Sequence, residues 1–333
     1  MVEACGIDTI YTSPDTFDCS NVGPFNTVTL FVVDASGNVG SCTGNIEVLD
    51  TTAPTMLCND TTICLTGGFV SVAATDIDGG SFDACGLSPV LSINGSNNVI
   101  YTCADIGPQA AILQRQDVNG NLNTCTATVT VQDCTPPTAV CQSPNYTVQV
   151  SSAGFVVVQA TALDFGSFDD CGIDPNGFKA NGLDSLIYSC ANVGIPDTVV
   201  LTVSDVFGNT ANCTTVVEVI DVENPVARCG GPVNAVLSAS GTVTIAAFNI
   251  NATLPATPSS DNCGIASYLI NGQANYVYDC TALGANSAVL TITDLSGNSD
   301  TCQAIVNILD NTPPTASCLF AASITLDQAG VAT

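Results

Sequence analysis

Asp34-Ala-Ser-Gly-Asn38-Val-Gly-Ser-Cys42 is one copy of the motif that decides the fold of this 333-residue chain: Asp-x-x-Gly-Asn followed by a cysteine. The motif recurs at a spacing of 83 to 89 residues. The other copies are Asp117 to Asn121 with Cys125, Asp205 to Asn209 with Cys213, and Asp294 to Asn298 with Cys302. Single-site catalysts are rarely copied in register, so the fixed period predicts an array of equivalent domains whose function belongs to the array.

Short alternating segments rich in Val, Thr and Ile flank the motif. Residues 27–33 precede one copy, and residues 126–131 follow another. Between such segments, Gly-Asn supplies the positive φ that a tight turn requires, so each motif is predicted to be the turn of a β-hairpin. We find no useful helical periodicity. Seven or so strands in about 87 residues indicate an all-β fold of tandem immunoglobulin-like β-sandwich repeats.

Each repeat carries four cysteines in a fixed order, which we number from the proline element that opens the repeat. The first cysteine follows that element, the second lies in Cys-Gly, the third in aromatic-x-Cys, and the fourth after the turn motif. First cysteines are Cys58, Cys141, Cys229 and Cys318; second, Cys5, Cys85, Cys171 and Cys263; third, Cys19, Cys103, Cys190 and Cys280; fourth, Cys42, Cys125, Cys213 and Cys302. Cys64 and Cys134 occur in one repeat only.

The spacing of these elements predicts the domain boundaries. Complete repeats are expected at 53–134, 135–222 and 223–311, with a partial repeat at 1–52 and the start of a further repeat at 312–333. Because both outer repeats are incomplete in sequence, we expect the chain to be part of a longer protein.

Composition excludes several classes of function. Eighteen cysteines without any histidine indicate disulfides rather than zinc, and hence an extracellular protein, either secreted or part of a cell-surface appendage. A net charge of −27 with three basic residues leaves no positive surface for nucleic acid, and no direct membrane insertion is expected. Without histidine, Ser-His and Cys-His catalysis is impossible. We therefore expect no enzymatic activity and no organic cofactor.

The sandwich topology predicts how the cysteines pair. The first and last strands of such a sandwich run parallel and side by side, which brings the first and fourth cysteines together. We predict Cys58–Cys125, Cys141–Cys213 and Cys229–Cys302 as these pairs, Cys5–Cys19, Cys85–Cys103, Cys171–Cys190 and Cys263–Cys280 as shorter loops, and Cys64–Cys134 as a clip on the first strand. Cys42 and Cys318 remain without partners in the chain.

The sequence resembles the hyalin repeat (HYR), an immunoglobulin-like extracellular module, over nearly its whole length. The likeness rests on Pro-Pro-x-x-x-Cys at 136–141, on Asp-x-Cys-Gly at 83–86, and on the turn motif with its cysteine. Ala53-Pro54 and Asn224-Pro225 depart from the Pro-Pro pattern. Long arrays of this kind look like those of secreted surface proteins of Bacteroidetes, and this resemblance implies a role in adhesion or prey attachment.

Acidic residues are expected to converge at one pole of each domain, where the preceding linker enters. The predicted set is Asp50, Asp76, Asp78, Asp83, Asp117, Asp133, Asp164, Asp169, Asp170, Asp205, Asp221, Glu223, Asp261, Asp294 and Asp310. Hard oxygen ligands between domains suit Ca²⁺, which would stiffen the chain. The alternative is that these aspartates cap their own turns and keep the chain soluble.

Together these features predict a structural segment of a long extracellular fibre or filament that serves cell-surface adhesion, attachment or prey capture. Copies of the chain are expected to pack against one another through apolar outward faces. The alternative is an adhesive binding module that recognises a glycan or surface protein through the repeats themselves. Phe165, Phe168 and Phe178 would then form a binding patch, although phenylalanines near a loop are more often core residues. The adhesive target is not predicted.

Overall fold

The computed structural model describes residues 6–252, 257–318, 324–325, 328–329 and 331. The described residues are predominantly β-strand. The strands are β1 Ile7–Ser13, β2 Gly23–Asp34, β3 Val39–Val48, β4 Thr61–Leu65, β5 Phe69–Ala73, β6 Leu87–Ile93, β7 Asn98–Thr102, β8 Gly107–Asp117, β9 Leu122–Asp133, β10 Asn145–Gln149, β11 Phe155–Gln159, β12 Ile173–Ala180, β13 Ser185–Ser189, β14 Asp197–Asp205, β15 Thr210–Ile220, β16 Val233–Val236, β17 Thr242–Ala246, β18 Ile265–Ile270, β19 Asn275–Asp279, β20 Gly284–Asp294 and β21 Ser299–Leu309. Short 3₁₀ turns lie at Cys19–Asn21, Ala74–Asp76, Cys103–Asp105, Ala160–Leu163, Cys190–Asn192, Ala247–Ile250 and Cys280–Ala282.

The strands form four-stranded sheets that are each accompanied by a two-stranded sheet. The strand orders are β4-β9-β8-β6 with β5-β7, β10-β15-β14-β12 with β11-β13, and β16-β21-β20-β18 with β17-β19. In each case the first strand runs parallel to the last, as Thr61 beside Val129 and Val233 beside Val306 show. This arrangement confirms the tandem immunoglobulin-like sandwiches expected from the sequence.

The Asp-x-x-Gly-Asn motif forms the turn between the last two strands of a repeat. Asp117 Oδ1 accepts the backbone N–H groups of Asn119 and Asn121 at 2.8 Å each, and Asp117 Oδ2 accepts Asn121 Nδ2 at 2.6 Å. Gly120 has φ = +99°, a conformation that is strained for any residue with a Cβ. The motif therefore stabilises a turn by hydrogen bonds within itself, and equivalent bonds recur at Asp34, Asp205 and Asp294.

The described chain forms two compact units, residues 1–140 with 166–178 and 202–212, and residues 141–165 with 179–201 and 213–333. The first contains a core around Ile77, Leu113 and Val129. The second contains a core around Leu290 and Ile308. A fully buried aliphatic side chain stabilises a domain by roughly 1.5–3 kcal/mol relative to exposure, so these clusters carry most of the sandwich stability.

Seven disulfides join the described cysteines, in two classes. Cys58–Cys125, Cys141–Cys213, Cys229–Cys302 and Cys64–Cys134 have the partners predicted from the sandwich topology. The remaining bonds join the third cysteine of one repeat to the second cysteine of the next: Cys19–Cys85, Cys103–Cys171 and Cys190–Cys263. The predicted short loops Cys85–Cys103, Cys171–Cys190, Cys263–Cys280 and Cys5–Cys19 are therefore wrong; Cys5 itself lies outside the described residues.

Strand length explains why the second and third cysteines of one repeat do not pair. Cys85 comes just before Leu87, which is paired with Asp117 at the end of β8. Cys103 instead precedes Gly107, at the start of the same strand. Eleven residues of β-strand span about 35 Å at roughly 3.3 Å per residue. The Cα atoms of bonded cysteines in this chain are only 4.9 to 6.0 Å apart, so a bond between opposite ends of β8 is excluded.

The first repeat differs from the complete ones. Its strands β1, β2 and β3 form a three-stranded sheet, and none of its described residues, 6–50, is fully buried. Among the described residues no strand pairs with the free edge of β3, and no second sheet covers this one. The sheet is therefore one layer of a sandwich.

Candidate metal sites

Three clusters of carboxylates lie where one repeat leads into the next. Each cluster contains three aspartates. The first lies at the end of one repeat, in or just after its last strand. The other two belong to the next repeat, where one lies two residues before the second cysteine and the other begins the turn motif. The clusters are Asp50, Asp83 and Asp117; Asp133, Asp169 and Asp205; and Asp221, Asp261 and Asp294. Within each, one oxygen atom from every residue lies within 4.8 Å of the others.

Local hydrogen bonds hold each carboxylate of the middle cluster in place. Asp133 Oδ1 accepts the N–H of Thr135 at 3.0 Å, and Asp169 Oδ1 accepts the N–H of Cys171 at 2.8 Å. The turn motif contributes Asp205 and also Asn209, whose Nδ2 donates to the Asp133 carbonyl at 3.2 Å. The asparagine of the motif thus ties the turn to the linker, a role that the sequence pattern did not reveal.

Some oxygens of these clusters are shielded from solvent and accept no hydrogen bond from the described residues. They are Asp133 Oδ2 in one cluster and Asp261 Oδ1 in another, and Asn262 Oδ1 beside the second is in the same state. A buried polar atom without a partner costs about 1–3 kcal/mol, more when it is charged. These oxygens therefore require a partner that the described side chains do not supply.

The electrostatics of the clusters differ between the linker and the turn. Burial raises the pKa of Asp133, and the carboxylates of Asp169 and Asp205 raise it further against the opposing hydrogen bond from Thr135. At Asp117 burial also disfavours the charged form, but the hydrogen bonds from Asn121 and the turn backbone outweigh it and lower the pKa. The surroundings of Asp133 thus disfavour its charged form, whereas those of Asp117 favour its charged form.

The geometry suits a calcium ion. Calcium binds oxygen at 2.3–2.6 Å, so two ligands on opposite sides of the ion lie up to about 5 Å apart. The oxygens of each cluster meet this limit, and Asp117, Asp205 and Asp294 are each only 2% exposed. Each cluster presents three carboxylates, and carboxylate oxygens are ligands that a hard cation such as Ca²⁺ prefers.

Six of the predicted ligands lie in none of these clusters. Asp76, Asp78, Asp164, Asp170, Glu223 and Asp310 are held elsewhere in the described structure. Asp76 Oδ2 accepts the N–H of Ala73, and Asp78 Oδ1 accepts Ser81 Oγ, because both residues stabilise the loop after β5. Asp310 Oδ1 accepts the N–H of Thr312 at 2.9 Å. Asp76 and Asp78 thus bond within their own loop, whereas Asp310 makes the same backbone bond as the linker aspartate Asp133.

Asp164, Asp170 and Glu223 make backbone contacts near the clusters, and the Asp170 carboxylate also raises the pKa of Asp133. The backbone of Asp164 forms an antiparallel bridge with Cys141, and the Asp170 carbonyl lies 3.5 Å from Cys103 Sγ. The N–H of Glu223 donates to Asp221 Oδ1 at 3.1 Å, so Glu223 supports the linker acid beside it.

Each cluster also adjoins an inter-repeat disulfide. Asp169 is two residues before Cys171, which is bonded to Cys103, and Asp261 is two residues before Cys263, which is bonded to Cys190. The constant Asp-x-Cys spacing is the sequence signal that could have linked the acids to these bonds. One short element therefore positions both a carboxylate and a covalent link to the preceding repeat.

Comparison with known proteins supports the hyalin-type repeat. No protein-family model matches the chain. Hyalin of Lytechinus variegatus is 26% identical over 315 residues, which cover 89% of this chain and 55% of that protein. The chain thus spans about half the length of this relative. The relative is consistent with the expected resemblance to hyalin repeats, and it gives no support to the likeness to Bacteroidetes proteins.

Solved structures that align with the chain include arrays of immunoglobulin and cadherin domains. A three-domain immunoglobulin fragment of titin aligns with a TM-score of 0.33 and 11% identity, over 78% of this chain and 100% of that fragment. Four extracellular cadherin domains of a protocadherin gamma align with a TM-score of 0.32 and 13% identity, over 87% and 84% of the two chains. Among the described residues, no helix has the length and apolar character needed to cross a bilayer.

Proposed function

We propose that this chain is a structural segment of an extracellular fibre, part of a secreted or cell-surface appendage that serves adhesion or attachment, and that it acts as a mechanical spacer rather than a catalyst. The observation that carries the proposal is the set of disulfides between successive repeats, Cys19–Cys85, Cys103–Cys171 and Cys190–Cys263. Domains in tandem are usually joined by the linker alone, which lets them move. Here a second covalent connection accompanies each linker.

The inter-repeat disulfides limit how far the chain can lengthen under tension, because they shorten the covalent path between its ends. From Cys19 to Cys263, the shortest path uses the three inter-repeat disulfides and only the backbone stretches 85–103 and 171–190. Fully extended, these two stretches reach about 130 Å, whereas the whole backbone between Cys19 and Cys263 would reach about 840 Å. Unfolding of the domains therefore releases little length, which is the property of a tether.

The carboxylate clusters support a second element of the proposal, calcium at the junctions. Each cluster would hold one Ca²⁺ through the linker, Cys-Gly and turn aspartates, and the ion would be the missing partner of Asp133 Oδ2 and Asp261 Oδ1. An ion present at 100 times its dissociation constant stabilises its site by about 2.7 kcal/mol. Calcium would thus resist bending at the same junctions that the disulfides hold together.

Force spectroscopy tests the mechanical role. The full chain is held at its two ends and stretched with its disulfides intact, then after reduction. We expect the oxidised chain to reach its limit several hundred ångströms earlier than the reduced chain, about 700 Å from the Cys19 to Cys263 segment alone. An oxidised chain that lengthens as far as the reduced one would rule out a tether.

One observation favours the binding-module alternative. Phe165 is 66% exposed and Phe168 is 59% exposed, so the expectation that they are core residues is wrong. The backbone of Phe168 is bridged to Thr138, and its ring lies on the surface. Exposed aromatic rings are typical anchors of interfaces. Glycan-array binding that is lost in Phe165→Ser and Phe168→Ser variants would shift the conclusion to direct recognition.

A further inference from the structure

We propose that the third residue of the turn motif sets how tightly each carboxylate cluster holds calcium, and that the cluster around Asp133 is the tightest of the three. This residue is Asn119 in the first cluster, Phe207 in the middle cluster and Ser296 in the last. A side chain that donates a hydrogen bond satisfies the linker aspartate from within the chain, whereas phenylalanine leaves that aspartate to the ion. The inference rests on the calcium part of the proposed function and adds the residue that tunes it.

At the first cluster the third motif residue donates directly to the linker aspartate. Asn119 Nδ2 donates to Asp50 Oδ2 at 2.9 Å, while Asp50 Oδ1 accepts the N–H of Thr52 at 3.0 Å. Both oxygens of Asp50 therefore have partners within the chain. In the described structure, no oxygen of Asp50, Asp83 or Asp117 is shielded from solvent without a hydrogen bond.

At the middle cluster the third motif residue has no donor in its side chain. The turn backbone is the same in both clusters, because the N–H of Phe207 donates to Asp205 Oδ1 at 2.8 Å, as the N–H of Asn119 does in its own turn. Asp133 Oδ1 accepts a backbone N–H as Asp50 Oδ1 does, but Asp133 Oδ2 is shielded from solvent and accepts no hydrogen bond from the described residues. The oxygen left without a partner is therefore the one that Asn119 satisfies in the first cluster.

The last cluster lies between these two cases. Ser296 Oγ is 3.5 Å from Asp221 Oδ2, which is a long and therefore weak contact. Asn262 Nδ2 is a further donor and lies 3.3 Å from Asp221 Oδ1. Asp261 Oδ1 in the same cluster is shielded and accepts no hydrogen bond from the described residues. A weak donor and an unsatisfied oxygen thus occur together here, so we expect an intermediate affinity for calcium.

Asp133 is held in the middle cluster by the chain on both sides of it. It is the last residue of β9 and is paired there with Leu65 of the parallel strand β4. The next residue, Cys134, is bonded to Cys64, a disulfide whose cysteines occur in this repeat only. Thr135 then donates its N–H to Asp133 Oδ1 at 3.0 Å and its hydroxyl to the Leu65 carbonyl at 3.1 Å. Because the linker is fixed in this way, the unsatisfied oxygen is a built feature of the junction.

The charges around this oxygen favour a cation over a neutral donor. One oxygen from each of Asp133, Asp169 and Asp205 lies within 4.8 Å of the others. Like charges at this distance repel one another. A water molecule that donates to Asp133 Oδ2 leaves this repulsion in place, whereas Ca²⁺ binds the oxygens and offsets their charge. An ion therefore satisfies both requirements of the middle cluster.

A donor within the chain competes with the ion for the same carboxylate oxygen. At the first cluster, calcium must displace the Asn119 amide before it binds Asp50 Oδ2, whereas at the middle cluster Asp133 Oδ2 has no hydrogen bond to lose. Loss of one hydrogen bond to a charged group lowers the affinity for the ion by about tenfold, which corresponds to about 1.4 kcal/mol. We therefore expect the two clusters to differ in calcium affinity by at least this factor.

An NMR titration with calcium alone measures the clusters separately. The full chain, with its disulfides intact and freed of metal by a chelator, is labelled with ¹⁵N, and the amide of the glycine in each turn motif is followed as calcium is added. These glycines are Gly120, Gly208 and Gly297, and the reference is Gly37 in the turn of Asp34, which belongs to no cluster among the described residues. We expect Gly208 to reach half of its shift at a free calcium concentration about tenfold or more below that of Gly120, with Gly297 between them and Gly37 unchanged.

A reciprocal exchange of the third motif residue tests the cause of this difference. Phe207→Asn introduces the donor that the middle cluster lacks, and it should raise the half-saturation concentration of Gly208 about tenfold. Asn119→Phe removes the donor from the first cluster, and it should lower the half-saturation concentration of Gly120 about tenfold. Each variant places in one turn a residue that the other turn already accommodates, so we expect both chains to fold.

Val206→Asn is the matched control. Val206 precedes Phe207 in the same turn and is 51% exposed, and its N–H donates to the carbonyl oxygen of Gly172 at 3.2 Å rather than to a carboxylate. The variant adds the same amide one residue away, and it should leave the half-saturation concentration of Gly208 within about twofold of the wild-type value. Amide signals outside the changed turn that keep their positions confirm that each variant is folded.

Three outcomes would overturn the inference. Equal half-saturation at Gly120 and Gly208 would show that the third motif residue does not tune the clusters, although calcium at the junctions would stand. Tighter binding in the Phe207→Asn chain would show that the asparagine is a ligand of the ion and not its competitor. A titration that shifts none of the cluster glycines would remove calcium itself from the proposed function and leave water as the partner of Asp133 Oδ2. The fibre role is independent of all three outcomes, because force spectroscopy tests it through the disulfides.

Discussion

The sheet β1-β2-β3 and the sheet β4-β9-β8-β6 contain the same type of hairpin but differ in burial. Both turns carry the same Asp-x-x-Gly-Asn hydrogen bonds, at Asp34 and at Asp117. Yet Val129 is 0% exposed in one sheet, and its counterpart Ile46 is 38% exposed in the other. The hairpin is therefore encoded locally, whereas the core needs a first strand and a second sheet. The difference teaches that each repeat depends on strands contributed from distant sequence.

The largest expected effect is on hydrogen exchange. In this chain, amides of β2 and β3 should exchange about 1000-fold faster than those of β8 and β9. Protection follows the free energy of local opening, and we expect this free energy to be about 4 kcal/mol higher in a closed sandwich than in a single layer. Exchange followed by mass spectrometry, peptide by peptide, measures this. Equal protection in the two hairpins would show that the sheet β1-β2-β3 is as stable as a closed sandwich.

Alanine substitution of the equivalent residues Leu113 and Leu30 should destabilise the two hairpins to different extents. Leu113→Ala is expected to cost about 2–5 kcal/mol of the opening free energy of its hairpin, because it leaves a cavity in a closed core. Leu30→Ala in the monomer should cost less than about 1 kcal/mol, since partly exposed positions contribute little. Hydrogen exchange of each hairpin reports both values. A Leu30→Ala cost as large as that of Leu113→Ala would contradict the difference in burial between the two hairpins.

The smallest effect concerns the linker aspartates. Without calcium, Asp133→Asn should raise the melting temperature at pH 7 by a few degrees, because it removes a charge that burial and the neighbouring carboxylates disfavour. The pKa of Asp133 is raised in the folded chain, so ionisation costs stability as pH rises through that pKa. The gain should therefore vanish below the ordinary carboxyl pKa of about 3.9.

With calcium bound, the wild type should melt at a higher temperature than the Asp133→Asn variant. The wild type is expected to gain stability with calcium, and Asp133→Asn to gain less because one carboxylate of three is lost. Asp310→Asn is the matched control, since Asp310 has the same linker position but belongs to no cluster among the described residues. Melting curves with calcium and with a chelator measure the gain, and an unchanged wild-type curve would remove calcium from the junctions.

Much of the fold was predictable because its signals are local. The turn motif, the alternating strands and the parallel pairing of first and last strands predicted the sandwich and the Cys58–Cys125 class of bond. The linker, Cys-Gly and turn acids, such as Asp133, Asp169 and Asp205, were also predicted to converge. Asp76 and Asp78 were not separable from them by sequence, because an acid that caps a loop and an acid that faces a junction are the same residue type.

The amino-acid sequence by itself determined the repeat, its turns and the first-with-fourth cysteine pairs, since each depends on hydrogen bonds and strand order within one repeat. Only the tertiary structure decided that the third cysteine bonds to the next repeat. Cys85 and Cys103 are close in the chain but lie at opposite ends of β8, about 35 Å apart for a strand of that length. Cys103 and Cys171 are 68 residues apart, yet their Cα atoms are separated by 5.3 Å. Disulfides form according to distance in space, and a rigid strand keeps sequence neighbours apart while the next repeat brings the distant partner near.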